Sequence, residues 1–296
     1  MRIRADALAK INWTLSIVGV TDNRYHELDM LMQSVEFADQ LWFDESDSLS
    51  LQITGSYSSN LEASDKNLVI KAAKVLSAQT SCNKGAAIRL HKQIPMEAGM
   101  GGGSSDAAAT LVSLNRLWQT GLSMEELERI SVKIGADVPF CIRGGLQRAR
   151  GIGEKLTVLR NPPPVDLLVI QPCRGLSTKE VFAAFDQATE ANALHADPLA
   201  AAEALQARNL DSLQMRIGND LQRVAVEKRV QIREAMEALK EHGAVAVQMT
   251  GSGSAVFGVY WDAADRDSAA AALKGRWPVV YSTKTADQSN RVIIQE

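Results

Sequence analysis

The sequence predicts an α+β protein in two parts, on three observations. Between Lys10 and Ile17 the apolar residues Ile11, Trp13, Leu15 and Ile17 alternate with Lys10, Asn12, Thr14 and Ser16, the period of a half-buried strand. From Ser104 to Trp118, Ala107, Leu111, Leu114 and Trp118 recur at steps of four, three and four, which gives a helix one continuous apolar face. Between these elements and a second mixed segment stands Asn161-Pro162-Pro163-Pro164. Three prolines can neither donate ladder hydrogen bonds nor continue a helix, so we place a boundary there, with domains at residues 1–160 and 161–296.

The remaining elements follow in order. Thr21 to Arg24 reads as a polar turn, His26 to Val35 as a second strand, and Leu49, Leu51 and Ile53 again recur with period two. Lys66 to Ser77 reads as a helix and Ala86 to His91 as a strand. Gly121 is placed to end the helix that starts at Ser104. Ser123 and Glu126 form a capping-box pattern that opens a helix through Leu127, Ile130 and Ile134, closed by Gly135. Past the prolines come a strand at Leu167 to Ile170, helices near Thr178 to Asp186 and Asp220 to His242, a strand pair around Ala244 to Met249 and Ala255 to Tyr260, then a helix and a final strand.

The 32 Lys and Arg against 35 Asp and Glu leave a net charge of -3. No global basic field draws this chain to nucleic acid or an anionic membrane, so an anionic ligand has to be captured locally. Cys82, Cys141 and Cys173 are odd in number and lack metal-site spacing, which reads as reduced thiols of a cytoplasmic protein. The N-terminal residues have no apolar signal core, and no apolar run is long enough to span a bilayer.

One local capture device stands out. Pro95, Met96, Glu97, Ala98, Gly99, Met100, Gly101, Gly102, Gly103, Ser104 and Ser105 lie between a predicted strand and a predicted helix. Glycines allow positive φ and close backbone approach, and the helix N-terminus offers free N–H groups and a positive dipole end to phosphate. A ligand-free turn is the plain alternative. There is no Gly-Lys-Ser/Thr and neither a His-Arg-Asp nor an Asp-Phe-Gly triplet, which disfavours Walker A enzymes and protein kinases. A second loop, Thr250-Gly251-Ser252-Gly253-Ser254, joins two predicted strands; it reads as a hairpin turn or as the other wall of a cleft holding a phosphorylated ligand.

Three motifs in order, Lys10-Ile11-Asn12, Pro95 to Asp106 and Thr250 to Ser254, resemble the GHMP small-molecule kinases, and the likeness covers nearly the whole chain. Tyr25-His26, Gly135-Ala136-Asp137-Val138-Pro139, Gly144-Gly145, Ala149-Arg150-Gly151 and Gly153-Glu154 resemble the branch that phosphorylates a hydroxyl of a cytidine diphosphate conjugate of methylerythritol in non-mevalonate isoprenoid synthesis. The resemblance implies an N-terminal domain like the second domain of ribosomal protein S5, a ferredoxin-like C-terminal domain, and ATP with Mg²⁺ as phosphoryl donor. Other members of the family, acting on mevalonate, homoserine or a sugar, and a catalytically silent relative are the alternatives. No nucleic-acid or membrane partner is implied, and the chain is expected as a monomer or homodimer.

By the same resemblance Asp137 is the general base and Lys10 its charged neighbour. Asn12 and Thr178 contact the substrate, Tyr25 and His26 hold the cytidine, and Phe182, with Phe185 as competitor, completes the stack on the base. Gly251, Ser252 and Gly253 are placed on the substrate side. Asn67 and Lys92 join the glycine loop on the ATP side, and Ser105 is the candidate Mg²⁺ ligand. Glu97 stands where relatives often carry a small residue, and an acid beside a triphosphate repels it unless it turns away or meets a cation.

Overall fold

The computed structural model describes residues 2–22, 25–188 and 196–295. The chain opens with two long antiparallel strands, β1 (Arg2–Val20) and β2 (His26–Ser46). Of the expected turn between them, Asn23 and Arg24 lie outside the described residues; its ends are tied by a Thr21 N–H to Tyr25 carbonyl bond of 2.7 Å. The strand β3 (Leu49–Gly55), the helix α1 (Leu68–Thr80) and the strand β4 (Gly85–Lys92) form a βαβ unit with β3 parallel to β4 and β4 antiparallel to β2. Three helices follow, α2 (Gly102–Leu117), α3 (Met124–Ser131) and α4 (Val138–Arg143), then the hairpin β5 (Leu146–Gly151) and β6 (Lys155–Val158), with β5 on β2. The capping box at Ser123 and Glu126 forms as the spacing requires. The left-handed residue just past α2 is Gln119, two residues ahead of Gly121.

Beyond the prolines run β7 (Asp166–Gln171), α5 (Thr178–Gln187), α6 (Pro198–Gln206), the short β8 (Gly218–Asn219), α7 (Gln222–Lys228), α8 (Val230–Glu241), β9 (Ala246–Met249), β10 (Val256–Tyr260), α9 (Ala263–Leu273), β11 (Val279–Ala286) and β12 (Asn290–Gln295). The single helix expected over 220–242 is two, because Arg229 is extended, at φ -144° and ψ 94°; neither glycine nor proline marks that break. The single final strand is also two. β11 pairs with β7 and, at its end, with β2, and β12 pairs with β1. The two halves are therefore stitched by strand pairing as well as by packing, with Trp13 edge-on to Phe257 at 5.3 Å.

The first strand departs from its reading in a way that builds the site. Its polar row is not solvated: Lys10 is 4% exposed, Asn12 1% and Thr14 0%. The register also shifts between Asn12 and Thr14, leaving Trp13 as an extra residue opposite the pair Met32 and Leu31. A bulge reverses which face a side chain takes. Ile11 and Trp13 thus join the core with Leu167 and Phe257, while Leu15 and Ile17 join the core with Met30 and Phe43. Alternation alone would have put all four on one face.

Candidate active site

A cavity of about 730 Å³ opens between the two halves, lined by Lys10 and Asn12 of β1, the loop Pro95 to Ser104, Asp137, the segment Ser177 to Lys179, Phe182, Gly251 and Ser252. The glycine loop connects β4 to α2. Gly99 and Gly101 have φ of 75° and 69°, conformations that residues with a Cβ rarely adopt. Contacts also demand glycine: a Cβ on Gly99 would lie 2.1 Å from the Thr250 carbonyl oxygen, and one on Gly101 would meet Lys10 Cγ at 2.9 Å. So the second Gly/Ser loop, the β9–β10 hairpin turn, is packed directly on the first. No side chain caps α2, and the first N–H groups of a helix have no partner within it, so this end is free to meet an anion.

At the floor of the cavity Lys10 Nζ stands 3.4 Å from Asp137 Oδ2 and donates to Asn12 Oδ1 at 2.7 Å. Asp137 occupies the N-cap position of α4 yet makes no capping bond. Its side chain is 33% exposed, so the carboxylate faces Lys10 and the cavity instead of its own helix. Asn12 is tied to the second half by its N–H, which donates to Thr250 Oγ1 at 3.0 Å. Thr250 also reaches the glycine loop, donating to the Gly99 carbonyl at 3.2 Å.

Lys92 is where the site differs most from expectation. Its ammonium is buried beneath the loop, ion-paired to Asp39 and, at 2.9 Å, to Asp106. Asp39 Oδ1 further accepts the Gln93 and Ile94 N–H groups at 2.5 and 2.8 Å, fixing the exit of β4. Lys92 is therefore a charge-balanced brace under the phosphate loop and not a free cation awaiting phosphate. Burial alone would lower its pKa, but the two carboxylates outweigh this and hold it above the ordinary lysine value. Burial pushes the Asp106 carboxyl up to about 8, against the pull of Lys92. In the sequence Asp106 is only the end of the loop motif, and Asp39 stands in no pattern.

Other expected residues fall as follows. Asn67 lines the cavity, but its amide caps α1 by accepting from the Val69 N–H at 3.0 Å and donates to the Glu62 carbonyl at 3.1 Å. Ser104 lines the cavity; Ser105 does not. Ser105 is fully buried and its hydroxyl donates to the Leu8 carbonyl at 2.7 Å, so the expectation that it binds Mg²⁺ is withdrawn. No group of three His, Cys, Asp or Glu able to hold a metal occurs among the described residues. Glu97 has φ of 51° and an exposed side chain on the cavity wall. Its backbone abuts Gly175, where a Cβ would come within 2.2 Å.

On the far side Thr178 and Ser252 share a hydroxyl hydrogen bond of 2.9 Å, while Gly253 turns toward Met249 and Ile232, away from the lining. Tyr25, 62% exposed, and His26 also lie outside the lining. His26 is nevertheless against Phe182, ring centroids 4.7 Å apart and 30° from parallel, whereas Phe185 meets it edge-on at 6.3 Å. Asp186 pairs with His26 Nε2 at 2.7 Å. Of the two phenylalanines only Phe182 borders the cavity.

The sequence matches the family models of the GHMP kinases N terminal domain over residues 67–145 and the GHMP kinases C terminal over residues 201–279. It is 36% identical to the 4-diphosphocytidyl-2-C-methyl-D-erythritol kinase of Caldanaerobacter subterraneus subsp. tengcongensis, covering 99% of this chain and 100% of the relative. With the enzyme of that name from Pelotomaculum thermopropionicum it shares 39% identity over 96% and 98% of the two chains. A crystal structure of 4-(cytidine 5'-diphospho)-2C-methyl-D-erythritol kinase superposes with a TM-score of 0.81 at 32% identity, covering 96% of this chain and 99% of that one. No helix of the described residues is long and apolar enough to cross a membrane. The two-part α+β fold with its glycine loop is that of the GHMP kinases, and the chain belongs to that family, among the 4-diphosphocytidyl-2-C-methyl-D-erythritol kinases.

Proposed function

We propose that this chain transfers the γ-phosphoryl group of ATP to a hydroxyl of 4-diphosphocytidyl-2-C-methyl-D-erythritol, giving the 2-phosphate and ADP. The observation that carries this reading is the facing of two elements across one cavity: the uncapped N-terminus of α2 with its glycine loop, and the Lys10–Asp137 pair at 3.4 Å. The first is an anion cradle and the second a base with a fixed charge beside it.

Phosphoryl transfer asks a protein mainly for positioning and charge stabilisation. ATP lies with its phosphates on the loop and on the first N–H groups of α2. The acceptor hydroxyl sits at Asp137, which takes its proton as the oxygen bonds to the γ-phosphorus and the bond from that phosphorus to the β,γ-bridging oxygen breaks. Lys10 stands beside the Asp137 carboxylate at 3.4 Å and offsets the negative charge gathering on the transferring group. It is aimed by Asn12 and by the stem contact with Gly101. Thr178, Ser252 and Gly251 hold the acceptor, and the cytosine binds at Phe182, with Tyr25 and His26 closing on it. Mg²⁺ enters with the triphosphate as MgATP. With Ser105 occupied and Lys92 against Asp106, no side chain is assigned to the ion. We place the enzyme in the cytoplasm and divide it, as a working description, at residue 160.

The test is a panel of acceptor alcohols with MgATP, read by ADP release. Turnover with the cytidine diphosphate conjugate and little with mevalonate, homoserine or sugars is expected; a preference for any of the latter overturns the assignment of the substrate but not of the family.

A further inference from the structure

The buried group under the glycine loop holds one cation and two acids, and its hydrogen bonds say which acid is charged. Asp39 receives the Lys92 ammonium and two backbone N–H groups, the environment of a carboxylate, which only accepts. Asp106 receives Lys92 on Oδ2 and lies within hydrogen-bonding reach of the Asp39 side chain. Its Oδ1 is buried and has no hydrogen-bond partner, although the residue is 3% exposed and borders the cavity. A bare carboxylate oxygen in such a place costs more than a neutral acid whose O–H finds an acceptor.

Charge balance points the same way. Lys92 and Asp39 neutralise each other, so a second ionised acid leaves the dry cluster at net minus one, beside the place where the α2 N-terminus gathers phosphate. A proton on Oδ1 removes that charge and turns an idle acceptor into a donor. We propose that Asp106 binds ATP as a neutral acid, its Oδ1–H donating to a phosphate oxygen while Oδ2 accepts from Lys92.

This makes Asp106 a phosphate ligand carried by Lys92, in place of Lys92 itself. Glycine at 102 lets the loop lie close over this brace, since a Cβ there would fall 2.9 Å from both Lys92 Nζ and Ile94 Cγ2. The titratable groups facing the cluster are Lys92 from β4, Asp39 from β2 and Cys141 from α4. Burial pushes the Cys141 thiol up to about 12, so it stays neutral while Asp106 titrates. The direction of the Asp106 shift agrees with the assignment: burial holds its proton well above the usual carboxylate range.

The proposal rests on reading the cavity as the ATP site, and the experiment separates the two. ATP affinity is measured directly, without acceptor, from pH 7.5 to 9.5 for the wild type, Asp106→Asn and Asp106→Leu, with circular dichroism to confirm folding. Wild-type affinity is expected to fall at least tenfold as pH rises and Asp106 ionises. Asp106→Asn, which keeps a donor at this position, rescues binding and flattens the pH profile; its curve also corrects for titration of the nucleotide and other groups. Asp106→Leu is expected to bind at least tenfold more weakly throughout. Parallel wild-type and Asn profiles, or an Asn variant that loses affinity at pH 7.5, overturn the proposal. No wild-type binding at all overturns the ATP site instead. Should the Leu variant not fold, the comparison of the wild type with Asn decides alone.

Discussion

The two ends of the cavity are built on different plans. At the phosphate end the buried cations and the loop are held in place before a ligand arrives, leaving the α2 N-terminus and Asp106 Oδ1 open. Lys10 is held by Asn12 and Asp137, Lys92 by two acids, and the loop by Thr250 and by the fit of Gly99 against the second half. At the Phe182 end, Tyr25 is solvent-facing, and His26 rests on Phe182 with Asp186 beside it, 55% exposed. The reacting end is preorganised, which electrostatic catalysis rewards because no reorganisation is left for the moment of transfer. The base end is a pair of rings already at 4.7 Å. A cytosine either parts them or extends the stack.

Breaking the rigid end should have the larger effects. Asp137→Asn keeps the shape of the side chain and removes the base. We expect kcat to fall by roughly 10² to 10⁴-fold, with ATP affinity and thermal midpoint little changed, since Asp137 makes no cap to α4. Single-turnover measurements separate this from slow product release, and a near-normal chemical rate would remove Asp137 from the mechanism.

Lys92→Met tests the brace. It leaves Asp39 and Asp106 buried without their cation, a loss of about 3–5 kcal/mol when one partner of such a group is removed. Urea unfolding should show that loss, and the KM for ATP should rise while the KM for the acceptor does not. A variant of unchanged stability would mean that water reaches the cluster, and that its burial is not what holds the loop.

How much of this was legible before the structure depends on range. The glycine run, the Ser123–Glu126 box and the Thr250 loop are contiguous, and each carries its local chemistry in adjacent residues. The roles of Lys10 and Asp137 came only through resemblance, because nothing within either segment says that residues 127 positions apart meet at 3.4 Å. Asp39 was invisible for a related reason. It is one acid in a long strand, and its meaning arises only when β2 lies beside β4 and brings it to Lys92. Trp13 misled because period-two reading assumes an unbroken ladder, and a bulge is set by how two strands pair. Ser105 misled for the opposite reason. It belongs to the right motif, but one residue along a helix turns a side chain by about 100°, and it meets the Leu8 carbonyl while Ser104 meets the cavity. The helix α6 was readable and passed over, for Asp197-Pro198 ahead of an alanine run is a cap followed by proline at the first helical position.

The smallest effects belong to the base end, and there the comparison between two phenylalanines is the sharpest probe. Phe182 borders the cavity and Phe185 does not. Both are partly buried and packed on the same core, so truncating either costs some stability, and stability alone cannot tell them apart. Binding can. A base stacked on an aromatic ring contributes about 1–3 kcal/mol, which for Phe182→Ala is a rise of roughly five- to a hundredfold in the KM for the cytidine substrate, with the KM for ATP unchanged. Phe185→Ala should leave both within about threefold, because its ring touches only the edge of His26. Equal losses from the two variants would mean that the α5 segment acts as a whole by packing; a larger loss from Phe185→Ala would mean that the helix turns when the base arrives, placing the movement in α5 and not in the Tyr25–His26 segment.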